Sequence, residues 1–158
     1  MNLAYRHVDV FSQIPFGGNS LPVFYDAPEL TADQMLRITQ ELRHFEAIFL
    51  QPSEQACTVG ARIFDLFDEL PFAGHPIIGA AAVIHERSQA AGRQTWRFEL
   101  PSRTVEVVTE ATAGGYSGWL DQGPPEFLGS LDDLPKDVED ADLHVNVSGK
   151  VLRDLTCD

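Results

Sequence analysis

His75 stands where one kind of backbone hands over to another. It belongs to Glu69-Leu70-Pro71-Phe72-Ala73-Gly74-His75-Pro76, and the apolar run Ile77-Ile78-Gly79-Ala80-Ala81-Ala82-Val83-Ile84 follows at once. The pattern predicts a strand or turn passing into a helix. Pro76 fits the first helical position, where its missing N–H costs nothing and its fixed φ is already helical. Backbone N–H groups at such an end have no partners within the helix, and the helix dipole is positive there. A carboxylate or enolate would be held by this end while His75 passes a proton to or from it. The same residues also fit a plainer arrangement, a tight turn at Phe72-Ala73-Gly74 with His75 as a cap.

Glu46 is the second candidate. It opens a predicted strand directly after an amphipathic helix, a position that can project into a cleft. Partial burial there raises a carboxyl pKa toward neutrality and makes the group effective as both base and acid. Local residues equally allow a solvated glutamate at a strand edge. Asn19 follows Gly17-Gly18, where its side chain either orients a bound molecule or closes the turn, and local chemistry favours the turn. His7, His44, His85 and His144 have no spacing that suggests a metal site, and His85 reads as a packed or end-of-helix residue on the apolar helix. The carboxylates between 121 and 142 match no calcium loop, so no metal is expected.

The elements that must position these residues alternate in character. Leu3–Phe11 and Ser20–Tyr25 read as strands around the Gly17-Gly18 turn. Thr31-Ala32-Asp33-Gln34 is a capping box, opening a helix with Met35, Ile38 and Leu42 on one face. Glu46–Gln51 and Val59–Phe67 are rich in β-branched and aromatic residues and read as strands. Pro76–Glu86 is apolar nearly all round and must be enclosed on all sides. Thr95–Leu100, Arg103–Thr109 and Tyr116–Leu120 follow as strands. Many strands and one all-apolar helix predict an α+β domain with a sheet curled around that helix.

Composition narrows the setting. The chain has 158 residues, about one ordinary domain, and no apolar run long enough to span a bilayer. Its net charge of −13 argues against nucleic acid or an anionic membrane as a partner. The N-terminus lacks the pattern of a signal peptide. Cys57 and Cys157 lie far apart without metal-ligand spacing, which predicts a reduced, cytoplasmic chain, with Cys57 packed in a strand.

Four segments together resemble a known family. Gly74-His75-Pro76, preceded by Asp68-Glu69-Leu70-Pro71-Phe72-Ala73, is similar to the signature of the PhzF-like (phenazine biosynthesis) isomerases and epimerases. Val8-Asp9-Val10-Phe11 with Phe16-Gly17-Gly18-Asn19-Ser20-Leu21-Pro22-Val23-Phe24 resembles the family's opening strands and Gly-Asn turn. Glu41-Leu42-Arg43-His44-Phe45-Glu46-Ala47-Ile48-Phe49-Leu50 resembles the segment carrying its acid/base glutamate, and Gly60-Ala61-Arg62-Ile63-Phe64 the strand before the histidine motif. All four occur in family order within roughly residues 5–85. The resemblance implies a diaminopimelate-epimerase-like fold, a mixed or antiparallel sheet closed as a barrel around a central apolar helix. It implies Glu46 and His75 as the proton-transferring pair, with Asn19, Gly74 and Pro76 at the substrate, and no cofactor.

Two departures accompany it. Arg43-His44-Phe45 stands where the family has Asn, a hydrophobic residue and Ser before the glutamate, which changes the pocket. Asp65-Leu66 stands where Thr-Pro is common. Asp65 either adds a negative charge near the site or points outward, and strand alternation favours outward.

The family is built from two similar domains with the site in the cleft between them, so the resemblance gives a first domain over residues 1–121. An acidic, Pro/Gly-containing connector follows over 122–143, and 144–158 resemble the start of a second domain that then stops. The expected activity is cofactor-free isomerisation of a small carboxylate metabolite, with half of the site in this chain and the rest from a second copy or a partner supplying the second domain. The alternative is a non-catalytic binding or dimerising remnant.

Overall fold

The computed structural model describes residues 3–27 and 29–123. Most of the connector and all of the second-domain start expected over 122–158 lie outside the described residues. The elements run β1 (Tyr5–Val10), β2 (Asn19–Phe24), α1 (Ala32–Leu42), β3 (Glu46–Pro52), β4 (Thr58–Asp65), β5 (Glu69–Leu70), α2 (Gly74–Ser88), β6 (Arg93–Glu99), β7 (Thr104–Thr112) and β8 (Gly115–Leu120). Every predicted strand and helix is present with shifted ends, and the two-residue β5 is an addition. Among the described residues no helix is long and apolar enough to cross a membrane.

The strands form one mixed sheet in the order β1-β2-β3-β4-β6-β7-β8, with β5 paired to β4. The β2–β3 and β4–β6 pairs are parallel and the others antiparallel. Among the described residues the sheet curls into a half-barrel with β1 and β8 as its terminal strands. Alternation along the strands divides the core in two. Ile48 and Leu50 of β3, with Leu21, Val23, Ala61 and Ile63, face inward and pack with Ile77, Ala80, Ala81 and Val83 of α2. Ala47 and Phe49, with Phe24 and Phe64, face outward onto Met35 of α1. Phe24 and Phe49 stack with ring centroids 4.5 Å apart, and Phe64 meets Phe49 edge-on.

Both helices have ends set by local chemistry. Thr31 caps α1 reciprocally with Gln34, as the capping box requires. Arg43, in the left-handed region at φ 56°, closes its C-terminus and turns the chain toward Glu46. In α2 the expected start is corrected: Ala73 is the N-cap and helix begins at Gly74, so Pro76 is the third helical residue rather than the first. That position is still within the turn whose N–H groups have no helical acceptor, so proline remains free of penalty.

Among the described residues the expected enclosure of α2 is incomplete. Its buried residues face the sheet, but Ile78, Ala82 and Glu86, one stripe at four-residue spacing, are only half-buried. They line a cavity of about 990 Å³ along β1 and β8. Contact with the sheet is close elsewhere, because a side chain at Gly79 would meet Leu21 Cδ2 at 2.7 Å and Val10 Cγ2 at 2.8 Å. His85 is packed, as its place on an apolar helix suggests. Trp96 Nε1 donates to Thr109 Oγ1, the threonine hydroxyl donates to His85 Nδ1, and His85 Nε2 donates to the Ala90 carbonyl. Cys57 is not in a strand. It is exposed, at φ 55°, in the turn before β4.

Gly79→Val is expected to lower stability by about 1–3 kcal/mol through overpacking against β1 and β2. A urea midpoint equal to that of the parent protein would show that α2 is not seated this closely.

Candidate active site

Glu46 is the first residue of β3 and shares its alternation with Ile48 and Leu50, so it projects to the inner side, toward α2. His75 is the second residue of α2. The two meet: His75 Nδ1 lies 3.3 Å from Glu46 Oε2, and their side chains are 14% and 22% exposed. Among the described residues Oε2 is enclosed and has no hydrogen-bond partner. Such an atom is costly to bury unless something else is to occupy the space before it.

Electrostatics pushes both groups toward their neutral forms. Burial, and secondarily the charge of Asp65, raises the Glu46 carboxyl above its ordinary range. Burial lowers His75 from 6.5 to about 4. At neutral pH the imidazole is uncharged, so the 3.3 Å contact is not an ion pair.

The helix end beside them is open. Ala73 is extended and contributes no side-chain cap, and no acidic residue lies in the first turn of α2. The N–H groups of Gly74 and His75 have no helical acceptors and point with the positive end of the dipole. This is an arrangement that holds an anion. Pro76 is buried behind it. β2 runs parallel to β3, so Asn19, the first residue of β2, lies at the same end of the sheet as Glu46. Asn19 pairs with Val10 and is exposed.

Other neighbours were not apparent in sequence. Asp65 is corrected from its expected outward orientation: it is the register partner of Glu46 and shares alternation with Ala61 and Ile63, which face inward. Arg62 and Glu69 form a bidentate pair, and Arg62 lies over the outward-facing Phe64 ring. Exposed apolar side chains border the site end, with Phe45 directly before Glu46, Phe67 in the β4–β5 turn, and Ile14 and Phe16 in the β1–β2 loop. The large cavity along β1 and β8 has neither Glu46 nor His75 in its lining.

Residues 8–147 match the family model described as phenazine biosynthesis-like protein, PhzC-PhzF. An uncharacterized isomerase of Pasteurella multocida is 46% identical over 109 residues, covering 68% of this chain and 37% of the relative. The trans-2,3-dihydro-3-hydroxyanthranilate isomerase of Pseudomonas chlororaphis is 40% identical, covering 75% of this chain and 45% of that protein. Among solved structures, a predicted epimerase of Pseudomonas aeruginosa superposes with a TM-score of 0.74 at 42% identity, over 77% of this chain and 43% of its own. A PhzF-family protein of Bacillus anthracis gives 0.63 at 25% identity, over 73% and 38%. The chain thus spans less than half the length of these relatives.

The lowered pKa of His75 makes stability depend on pH. Between pH 6.5 and about 4 the unfolded chain carries a proton at this residue that the folded chain lacks. Stability therefore falls as pH drops through that window, in all by about 3 kcal/mol at 1.4 kcal/mol per unit. Glu46 acts in the opposite sense, since protonation removes its buried charge. His75→Asn is expected to flatten the fall in urea midpoint between pH 6.5 and 4. An unchanged slope would contradict the burial of a neutral imidazole.

Proposed function

The chain belongs to the PhzC-PhzF family of phenazine biosynthesis-like proteins, and on that membership together with the Glu46–His75 pair we propose that it supplies one wall of an isomerase active site. The reaction is proton transfer on a small carboxylate-bearing metabolite, carried out by the protein's own side chains. Glu46 as carboxylate takes a proton from carbon, and the C–H electron pair moves into the substrate as an enolate. The negative charge that develops on the substrate oxygen settles against the N–H groups of Gly74 and His75. Protonated Glu46, directly or by relay through neutral His75, then returns the proton to another carbon or to the opposite face. Atoms and electrons balance, and no oxidant or group donor is consumed. Asn19 orients the substrate from the same end of the sheet, and Pro76 fixes the first turn of α2.

One observation carries this reading: the enclosed Glu46 Oε2, 3.3 Å from His75 Nδ1, has no hydrogen-bond partner among the described residues and lies beside an uncapped helix end. Burial supports it, because a carboxyl raised toward neutrality works as base and acid in turn. In this reading the half-barrel is a diaminopimelate-epimerase-like domain that closes around α2, in a cytoplasmic protein. The facing wall comes from a second domain, a second copy or a partner chain. Ile14, Phe16, Phe45 and Phe67 form the apolar border that such a wall would cover. The same border favours the second reading, a non-catalytic module that binds or dimerises.

Deuterium uptake from D₂O into small carboxylates tests the first reading, with trans-2,3-dihydro-3-hydroxyanthranilate, named for the Pseudomonas chlororaphis relative, among them. Exchange is expected, and Glu46→Gln is expected to lose about 10²–10⁴-fold. Exchange at the parent rate in both Glu46→Gln and His75→Asn would remove the assignment. Light scattering tests the covering of the border: the parent chain is expected to self-associate, and Phe45→Asp with Phe67→Asp to be monomeric with unchanged far-UV circular dichroism. Self-association that survives the double substitution would place the contact elsewhere.

A further inference from the structure

Asp65 and Glu46 are the last register pair of the β3–β4 ladder. Residues directly opposite across an antiparallel pair have Cβ atoms about 5 Å apart and leave the sheet on the same face. The face is the inner one, since Ala61 and Ile63 precede Asp65 in the same alternation and Ile48 follows Glu46. Asp65 is also held. Its Oδ1 accepts from the Phe67 N–H at 2.7 Å and the Asp68 N–H at 2.6 Å, and its own N–H donates to the Asp68 carbonyl at 3.0 Å. These three bonds form the turn into β5, so the carboxylate is fixed by backbone instead of drifting into solvent.

We propose that Asp65 is a positioning residue of the site, a pinned carboxylate whose charge, delivered across the β3–β4 pair, governs when Glu46 gives up its proton. The inference rests on the assignment of Glu46 as the acid/base group and adds the residue that sets its working range. Like charges close together disfavour joint ionisation, and burial of Glu46 limits the screening of their repulsion. Charged and titratable neighbours of Glu46 come from several packed elements: ahead of it in the chain Arg43 is exposed, and His44 Nδ1 shares a hydrogen bond with Ser20 Oγ of β2. From α2 comes His75, uncharged above about pH 4. From β4 comes Asp65. Arg62 and Glu69 neutralise each other, with Arg62 on the outer face. Asp68, three residues beyond Asp65, is exposed. No cation among these stands between the two carboxylates, so the repulsion is not cancelled.

Asp65→Asn separates charge from shape, because the amide oxygen still accepts both turn N–H bonds. The titration of the Glu46 side-chain carboxyl, followed by carbon NMR in the full chain, reads the effect without any substrate. Its midpoint is expected to fall by about half to one pH unit in Asp65→Asn. Asp65→Ser, whose hydroxyl accepts in the same turn, is expected to give the same fall and serves if the amide variant does not fold. Asp68→Asn is the control for charge removal and is expected to leave the midpoint in place. A midpoint that stays or rises in both Asp65 variants overturns the inference, as does an equal shift in Asp68→Asn. With an active preparation, the acid limb of the pH–rate profile is expected to move down by the same amount in Asp65→Asn. A shifted Glu46 titration in a protein that exchanges no substrate proton would uphold the role of Asp65 and reject the isomerase reading.

Discussion

A helix with no charged residue between Pro76 and His85 cannot stand in water, and its burial against the inner face of the sheet decides where the rest of the molecule goes. Gly79 permits close approach to β1 and β2, and Gly118 does the same for Ile78 on the β8 side. His85, forced into the interior by its place on that helix, is tolerated because Thr109 and the Ala90 carbonyl satisfy both ring nitrogens. The first turn of α2 is fixed at the sheet end where β3 begins. Glu46 and His75 meet there because a rigid helix and a strand start are both held by the same apolar core.

The electrostatics of the pair follow from that placement. Water is largely excluded from both side chains, and each is pushed toward its neutral form, the carboxyl up and the imidazole down. The positive end of the helix dipole also disfavours a cation at the second helical residue, in the same direction as burial acts on His75. An aspartate locked into the neighbouring turn adds to the burden on Glu46 without losing its own hydrogen bonds. The site is thus held in an unfavourable state by packing elsewhere, chiefly by the aromatic layer of Phe24, Phe49 and Phe64 under α1 and the aliphatic layer under α2.

The surface is uneven in a corresponding way. Away from the site, charged side chains pair across elements, as in Arg6–Glu86, Arg87–Asp26 and Arg97–Glu106, exposed contacts that fix little energy but suit a solvated surface. Around the site end the exposed groups are instead Ile14, Phe16, Phe45 and Phe67. Exposed apolar side chains of this size are thus gathered at the end of the sheet where Glu46 and His75 meet. The relatives are each more than twice as long as the stretch they share with this chain.

Periodicity and composition sufficed for the order of elements, the capping box at Thr31 and the burial of most of α2, because each depends on neighbours within a few residues. Glu46 and His75 were legible as candidates from residue type, position and family likeness. Their contact was not, since it joins residues separated by three strands and the turns between them, and only the closure of the sheet brings them within 3.3 Å. The orientation of Asp65 needed the β3–β4 register, which one strand's alternation does not contain. Cys57 reads as a strand residue until the turn before β4 takes a left-handed residue at that place. Among the described residues Ile78, Ala82 and Glu86 are only half-buried where composition predicts full enclosure of α2, because hydrophobicity tells that a face must be buried but not which element covers it.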